Sequence, residues 1–296
     1  MKRRRVVYGA VGSVLLAAGV MPAAAQASAS SPRAACSMLA GSVTSAGAQT
    51  TAKVTAGTPP TMSNPTSEAG VFPAGAVRLS STFESEPNVA GADSSGYVVE
   101  GDALYYRMYN FNAGINLTQR VGGGWSKFNA LELAHYQQGK ATHWMGYGLR
   151  NDGTLLRWTV GKTWKSAGSA TGFGSVKAMA LISKTAKYDT FLANTRGGAL
   201  YTIRIPVTSP MKPIVTKIRP GTWQGFESLV AEKCGNYGTL LLGIDKETQT
   251  ANLYAIGHAN GPTTVINSLG KVKATFPNPV NFRWGPVYFA DSLNGD

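Results

Sequence analysis

A spacing of 27 residues recurs along the chain and limits the folds available to it. Three phenylalanines are each followed 27 positions later by a leucine: Phe128 and Leu155, Phe173 and Leu200, and Phe226 and Leu253. An apolar residue also lies three positions after each phenylalanine: Leu131, Val176 and Leu229. Equal intervals indicate an internal repeat, and extending the pattern to Val77 and Phe276 gives about five units of roughly 45–53 residues.

The composition and residue pattern of these units predict β-structure. Only 15% of the residues are charged, and from about Ala76 short apolar runs alternate with glycine-rich turn signals. A small antiparallel sheet cannot bury both faces alone, so repeated sheets must stack, and a closed ring of them is a β-propeller. The sequence therefore predicts an all-β, five-bladed propeller over residues 76–296. An open sandwich with coincidental spacing is the alternative.

The unit that begins at Phe276 is incomplete, because its leucine would fall beyond Asp296. We expect VYFADSLNGD to form one strand and its turn. Residues 30–75 are rich in Ser, Thr, Ala, Gly and Pro and cannot build a core by themselves. Part of residues 37–75 is therefore expected to complete the last blade. Cys36 and Cys234, the two cysteines of the chain, predict one disulfide in an oxidising compartment.

Residues 1–29 are predicted to be a signal peptide. Lys2 to Arg5 are basic, Val6 to Val20 are mostly apolar, and small residues then offer cleavage after Ala25, Ala27 or Ala29. An uncleaved anchor is the alternative, and the general or the twin-arginine export route fits. We expect a secreted, extracellular protein that does not insert into a membrane after cleavage.

The charge balance favours no particular polymer. The chain has 28 Lys and Arg against 15 Asp and Glu, and four of the basic residues lie in the predicted signal peptide. The mature excess is compatible with a cell-surface polyanion. The basic residues are scattered, so a specific nucleic-acid partner is not expected. The oligomeric state stays open.

Two segments, RVGGGWSKFNALELAH (120–135) and RPGTWQGFESLVA (219–231), each precede a leucine landmark. They resemble the repeat of tachylectin-type lectins and of related actinobacterial secreted proteins. The resemblance implies a five-bladed propeller that binds N-acetylated amino sugars or cell-surface glycans between blades, without metal or catalysis. It assigns ligand binding to five candidates: Gly123, Gly124, Trp125, Trp223 and Gly225. The copies at Phe173 and Phe276 lack the Gly-Gly-Trp motif, so at most two sites are expected.

Each tryptophan of the motif has two interpretations. Its ring can offer a flat face to a sugar while the glycines let backbone N–H groups approach the ligand. Alternatively, Trp125 and Trp223 fill the gap between neighbouring sheets, and the glycines form a tight connection.

Catalytic and metal-binding patterns are weak. Asp102, Asp152 and Asp245 occupy predicted hairpin turns, where aspartate bonds to local backbone, and together with Glu227 they are the candidates for a carboxylate pair. The three histidines lack metal-ligand spacing, and no D-x-D-x-D-G calcium loop occurs. We expect no cofactor and no enzyme activity. A glycan-binding module is the first hypothesis, a structural or protein-interaction propeller the second, and an extracellular hydrolase the third.

Overall fold

A computed structural model describes residues 36–296, so the predicted signal peptide lies outside the described residues. These residues form 22 strands and two short 3-10 helices, Phe111–Ala113 and Gly261–Thr263. In chain order the strands are β1 (Ser37–Val43), β2 (Gln49–Thr55), β3 (Thr61–Met62), β4 (Thr66–Glu68), β5 (Val77–Ser80), β6 (Phe83–Asn88), β7 (Gly91–Glu100), β8 (Ala103–Asn110), β9 (Ile115–Gly123), β10 (Phe128–Gln138), β11 (Ala141–Arg150), β12 (Leu155–Thr159), β13 (Lys165–Ala170), β14 (Val176–Lys184), β15 (Tyr188–Thr195), β16 (Leu200–Pro206), β17 (Ile214–Arg219), β18 (Ser228–Cys234), β19 (Gly238–Asp245), β20 (Thr250–Ile256), β21 (Ile266–Lys271) and β22 (Val280–Pro286). Among residues 36–296, no helix has the length and apolar character to cross a membrane.

Three of the sheets are four-stranded antiparallel meanders. They consist of β10–β13, β14–β17 and β18–β21, and each strand pairs with its neighbour in sequence. The first strands of these sheets also pack together, β10 against β14 and β14 against β18. The prediction of an all-β chain built from small antiparallel sheets is confirmed.

A larger sheet joins strands from both ends of the described chain. Its order is β3-β2-β1-β22-β6-β7-β8-β9, with β4 on β2 and β5 on β7. Strand β22 pairs antiparallel with β1, from Val43 with Val280 to Leu39 with Trp284, and parallel with β6. The predicted Cys36–Cys234 disulfide is present and ties the start of β1 to the end of β18.

Two of the three repeat phenylalanines, Phe128 and Phe226, pack onto a glycine of the adjacent strand. A Cβ atom on Gly148 or Gly243 would lie 2.8 Å from the ring of Phe128 or Phe226, respectively. The same arrangement occurs at two further places, Phe83 on Gly96 and Phe282 on Gly41. A glycine under an aromatic ring lets the ring lie flat on the sheet.

The predicted final strand is misplaced. The sequence predicts the final strand within residues 287–296, but the last strand of the chain is β22, which ends before them. Residues 287–296 form one isolated bridge, between Asn294 and Ser183. The physical reason is electrostatic, because Asp291 pairs with the buried side chains of Lys184 and Arg283. These ion pairs hold the segment over the first strands of the sheets instead of in a ladder.

Substitution of Gly243 by alanine tests this packing. The new methyl group would overlap the Phe226 ring, and overpacking of this kind costs about 1–3 kcal/mol of unfolding free energy. Thermal and denaturant unfolding should show a lower midpoint. Gly197→Ala is the matched control, since a Cβ there meets no atom within 4 Å. Equal stability of the two variants would contradict the account.

Candidate functional site

The two motif tryptophans are buried. Trp125 is 5% exposed and Trp223 is 4% exposed. The Trp125 ring lies 4.4 Å from Phe128 and 5.3 Å from Trp158, centroid to centroid. Trp223 packs 4.7 Å from Tyr254. Burial favours the second interpretation, in which these rings fill the space between sheets, and their role in ligand binding stays a prediction.

The glycine run nevertheless borders an open cleft. Gly122 to Gly124, with Trp125 and the half-buried Trp158 and Trp164, line a cavity of about 400 Å³, which we call the tryptophan cleft. Asp102 shapes this loop, since its carboxylate accepts the N–H of Ser126 at 2.7 Å and of Gly124 at 3.1 Å. The structure thus brings Gly123, Gly124 and Trp125 to one cavity, whereas Trp223 and Gly225 belong to a different connection.

The other carboxylates weighed as catalytic candidates have local partners. Asp152 accepts the N–H of Thr154 at 2.9 Å, and Asp245 that of Thr248 at 2.9 Å. Glu227 accepts the N–H of Lys246 at 2.7 Å. The bonds of Asp152 and Asp245 fit the predicted turn roles, whereas Glu227 reaches across to a residue 19 positions away.

A second cavity, of about 320 Å³, lies where β6, β7 and β8 face β10 and β11; we call it the channel pocket. Glu86 pairs with Asp93, Glu84 with Ser95, and Tyr97 with Tyr106. Because side chains along a strand alternate between the two faces of a sheet, these six side chains share the face that lines the pocket. The opposite wall and floor come from other elements: Leu133, His135, Trp144, Lys184, Arg283, Tyr288 and Asp291.

Aromatic rings form one side of the channel pocket. The His135 ring is stacked between Trp144 at 4.4 Å and Tyr288 at 3.6 Å, with interplanar angles of 8° and 12°. Burial lowers the pKa of His135 to about 4, and burial raises the pKa of Tyr97 to about 12. Both groups are therefore uncharged at neutral pH and contribute neutral hydrogen-bonding groups, while Trp144 and Tyr288 cover the two faces of the His135 ring.

Charged groups form the floor. The Lys184 ammonium donates to Asp291 at 2.8 Å, and the Arg283 guanidinium donates to the same carboxylate at 3.1 Å. Burial acts to raise the pKa of Asp291, but Arg283 and Lys184 outweigh it and hold that pKa below its ordinary value. Burial raises the pKa of Glu84, and Lys184 opposes this. The two carboxylates of one pocket thus have pKa values displaced in opposite directions.

The mouth of the pocket holds two like charges. Glu86 and Asp93 lie directly opposite each other on β6 and β7, an arrangement that destabilises a sheet unless something compensates it. Asp93 accepts the amides of Asn88 at 2.7 Å and Asn110 at 2.9 Å. Within residues 36–296 neither carboxylate has an ion-pair partner.

Sequence reasoning missed the channel pocket because its residues come from separate strands and from residues 287–296. One signal was present: along β6 and β7 the polar residues Glu84, Glu86, Asp93 and Ser95 alternate on a single face. A sheet face between two sheets is normally apolar, so this alternation marks a site.

No protein-family model matches the chain, and no curated protein matches it. Solved structures similar to it include the catalytic domain of a Coprinopsis cinerea GH62 α-L-arabinofuranosidase, at 12% identity over 70% of this chain and 73% of that chain, with a TM-score of 0.45. The lectin SapL1 in complex with α-methyl fucoside is 10% identical over 78% and 79%, with a TM-score of 0.43. The WD40 domain of SCAP from fission yeast is 7% identical over 79% and 70%, with a TM-score of 0.37.

These likenesses are remote, and no site residue is transferred from them. A lectin is among the similar structures, while the tachylectin-type family itself is not matched. The expectation that the chain is not an enzyme is corrected, because the catalytic domain of a glycosidase is also among them.

Glu132 of β10 supplies a pH-dependent prediction. Burial raises its pKa from 4.5 to about 8, against the opposing effect of Arg283. Between pH 4.5 and about 8 the folded chain keeps the Glu132 proton that the unfolded chain releases. The stability that this proton contributes is complete below pH 4.5 and is lost as the pH rises through about 8. The stability of Glu132→Gln relative to the parent protein should therefore increase as the pH rises from 4.5 to about 8, as measured by thermal unfolding. A constant difference between the two melting temperatures would refute the assignment.

Proposed function

We propose that the sheets are the blades of a five-bladed propeller, in which β22, β1 and β2 form the fifth blade from both ends of the described chain. The pairing of β1 with β22 supports this proposal, as does the packing of β10, β14, β18 and β22 in succession. We also infer secretion after removal of residues 1–29, which the Cys36–Cys234 disulfide supports.

We infer that the protein binds carbohydrate in the channel pocket. The observation that carries the proposal is a single sheet face that presents Glu84, Glu86 and Asp93 beside Tyr97 and Tyr106 in one cavity. Sugar rings have apolar C–H faces that pack on aromatic rings, and hydroxyl groups that donate to carboxylates. A pocket with both kinds of group recognises a sugar by face and by edge.

Tyr106→Ala tests the proposed binding. Loss of the aromatic wall should weaken binding of N-acetylglucosamine oligosaccharides or of the best ligand from a glycan array about tenfold. Isothermal titration calorimetry gives the dissociation constants. The matched control is Tyr237→Ala, since Tyr237 is 63% exposed and lies outside the pocket. The proposal fails if no glycan binds the parent protein, or if both variants lose affinity equally.

Hydrolysis of a glycoside in the same pocket is a second candidate. It is favoured by the position of Glu84 and Asp291 in one cavity, with pKa values displaced in opposite directions, since glycosidases pair a carboxylic acid of raised pKa with an ionised carboxylate. In this reaction Glu84 would protonate the leaving oxygen, water would add its hydroxyl group to the sugar carbon, and the second proton of that water would return to Glu84. Asp291, held by Arg283 and Lys184, would stabilise positive charge at the reacting carbon.

Glu84→Gln removes that proton donor while keeping the shape of the side chain. Release of nitrophenol from nitrophenyl glycosides should fall about a hundredfold or more in this variant. Glu247→Gln, an exposed carboxylate in the β19–β20 turn, should leave the rate unchanged. Absence of turnover by the parent protein, or equal rates in Glu84→Gln and the parent, would exclude this candidate.

A further inference from the structure

A third cavity lies on the other face of the sheet that forms the channel pocket. Ala92 and Ser94 of β7 line it, and they alternate with Asp93 and Ser95, which face the channel pocket. Strands β2 and β4 close its opposite side. The cavity measures about 260 Å³, and we call it the Gln49 pocket after a buried residue that lines it.

The Gln49 side chain has unmet hydrogen-bonding capacity. It is 2% exposed, and neither its Nε2 nor its Oε1 atom has a hydrogen-bond partner. A buried primary amide normally satisfies both ends, because an unpaired buried donor or acceptor is destabilising. The side chain lines the cavity with both amide atoms covered, so a molecule inside it pairs with them once the side chain turns toward the cavity.

The remaining lining is aromatic and neutral. Tyr109 and Phe111 are stacked at 5.3 Å with an interplanar angle of 26°, and Phe111 is 38% exposed. Burial raises the pKa of Tyr109 to about 12, so its hydroxyl stays protonated. Trp284 adds a third ring and Thr51 a hydroxyl group. The described lining contains no lysine or arginine, and its single carboxylate, Glu68, is exposed.

These groups select a class of ligand. Without a cation in the lining, an anion would have no counter-charge, and a purely apolar molecule would leave the Gln49 amide unpaired. A neutral sugar residue meets both requirements, since its C–H face packs on an aromatic ring. Two neighbouring hydroxyl groups can accept from Nε2 and donate to Oε1 at the same time.

We propose that the Gln49 pocket is a second carbohydrate site, which binds one neutral sugar residue through the Gln49 amide and the Tyr109–Phe111 platform. The site exists only because β2 and β4 dock beside β7 and β8, so the segment before residue 76 supplies five of its twelve lining residues. It does not rest on the channel pocket, because the two cavities use opposite faces of β7.

The test is a titration of the full protein with methyl glycosides of neutral hexoses and N-acetylhexosamines, followed by NMR of the glutamine side-chain amides. The Gln49 signal is assigned by its absence in Gln49→Leu. It should shift saturably with at least one glycoside, and Gln49→Leu should bind that glycoside at least about tenfold more weakly. Gln137→Leu, an exposed glutamine at the end of β10, should bind it normally.

Two further measurements separate the outcomes. Tyr106→Ala should keep the shift of the Gln49 signal. This proposal therefore stands even if no sugar binds in the channel pocket. Gln49→Leu should melt at or above the temperature of the ligand-free parent, because it removes an unpaired buried amide. A Gln49 signal that no glycoside moves, unchanged affinity in Gln49→Leu, or a lowered melting temperature would each overturn the proposal and mark the amide as structural or water-bound.

Discussion

The antiparallel pairing of β1 with β22 is the interaction on which the rest of the structure depends. It joins segments separated by more than two hundred residues in sequence, and the Cys36–Cys234 bond secures the same region covalently. Successive residues of β22 then serve different purposes. Phe282 covers Gly41, Arg283 reaches the floor of the channel pocket, and Trp284 lines the Gln49 pocket. Both cavities therefore exist only while this strand is held in register.

The sequence anticipated those features that depend on local pattern. The 27-residue spacing was readable because each phenylalanine lies at or just before the first strand of a four-stranded sheet, and each leucine lies in the third strand of that sheet. The disulfide was readable because the chain has only two cysteines. The role of Trp125 was not readable, since a glycine run before a ring suits a sugar platform and a wedge between sheets equally well. Only its burial separates these interpretations.

The channel pocket could not have been assembled from the sequence. Its central ion pair joins Lys184 to Asp291, two residues 107 positions apart, and Asp291 lies in a segment that the pattern assigned to a strand. Its His135 stack combines β10, β11 and residue 288. What decides the pKa values of Glu84 and Asp291 is burial together with two cations from distant strands, and no periodicity encodes that arrangement.

The electrostatic character of the pocket differs from that of the whole protein. The chain is basic, with 28 Lys and Arg against 15 Asp and Glu, yet the channel pocket places four carboxylates beside two cations that Asp291 already engages. Surface charge is thus a poor guide to the ligand. The pocket offers acceptors and aromatic faces, which suits a molecule rich in hydroxyl groups.

A crystal structure of the protein soaked with the tightest-binding glycan tests directly whether the channel pocket binds sugar. We expect a sugar ring between Tyr106 and Trp144, with its hydroxyl groups bonded to Glu86 and Asp93. An empty channel pocket at saturating glycan, with the sugar bound elsewhere or not at all, would contradict it.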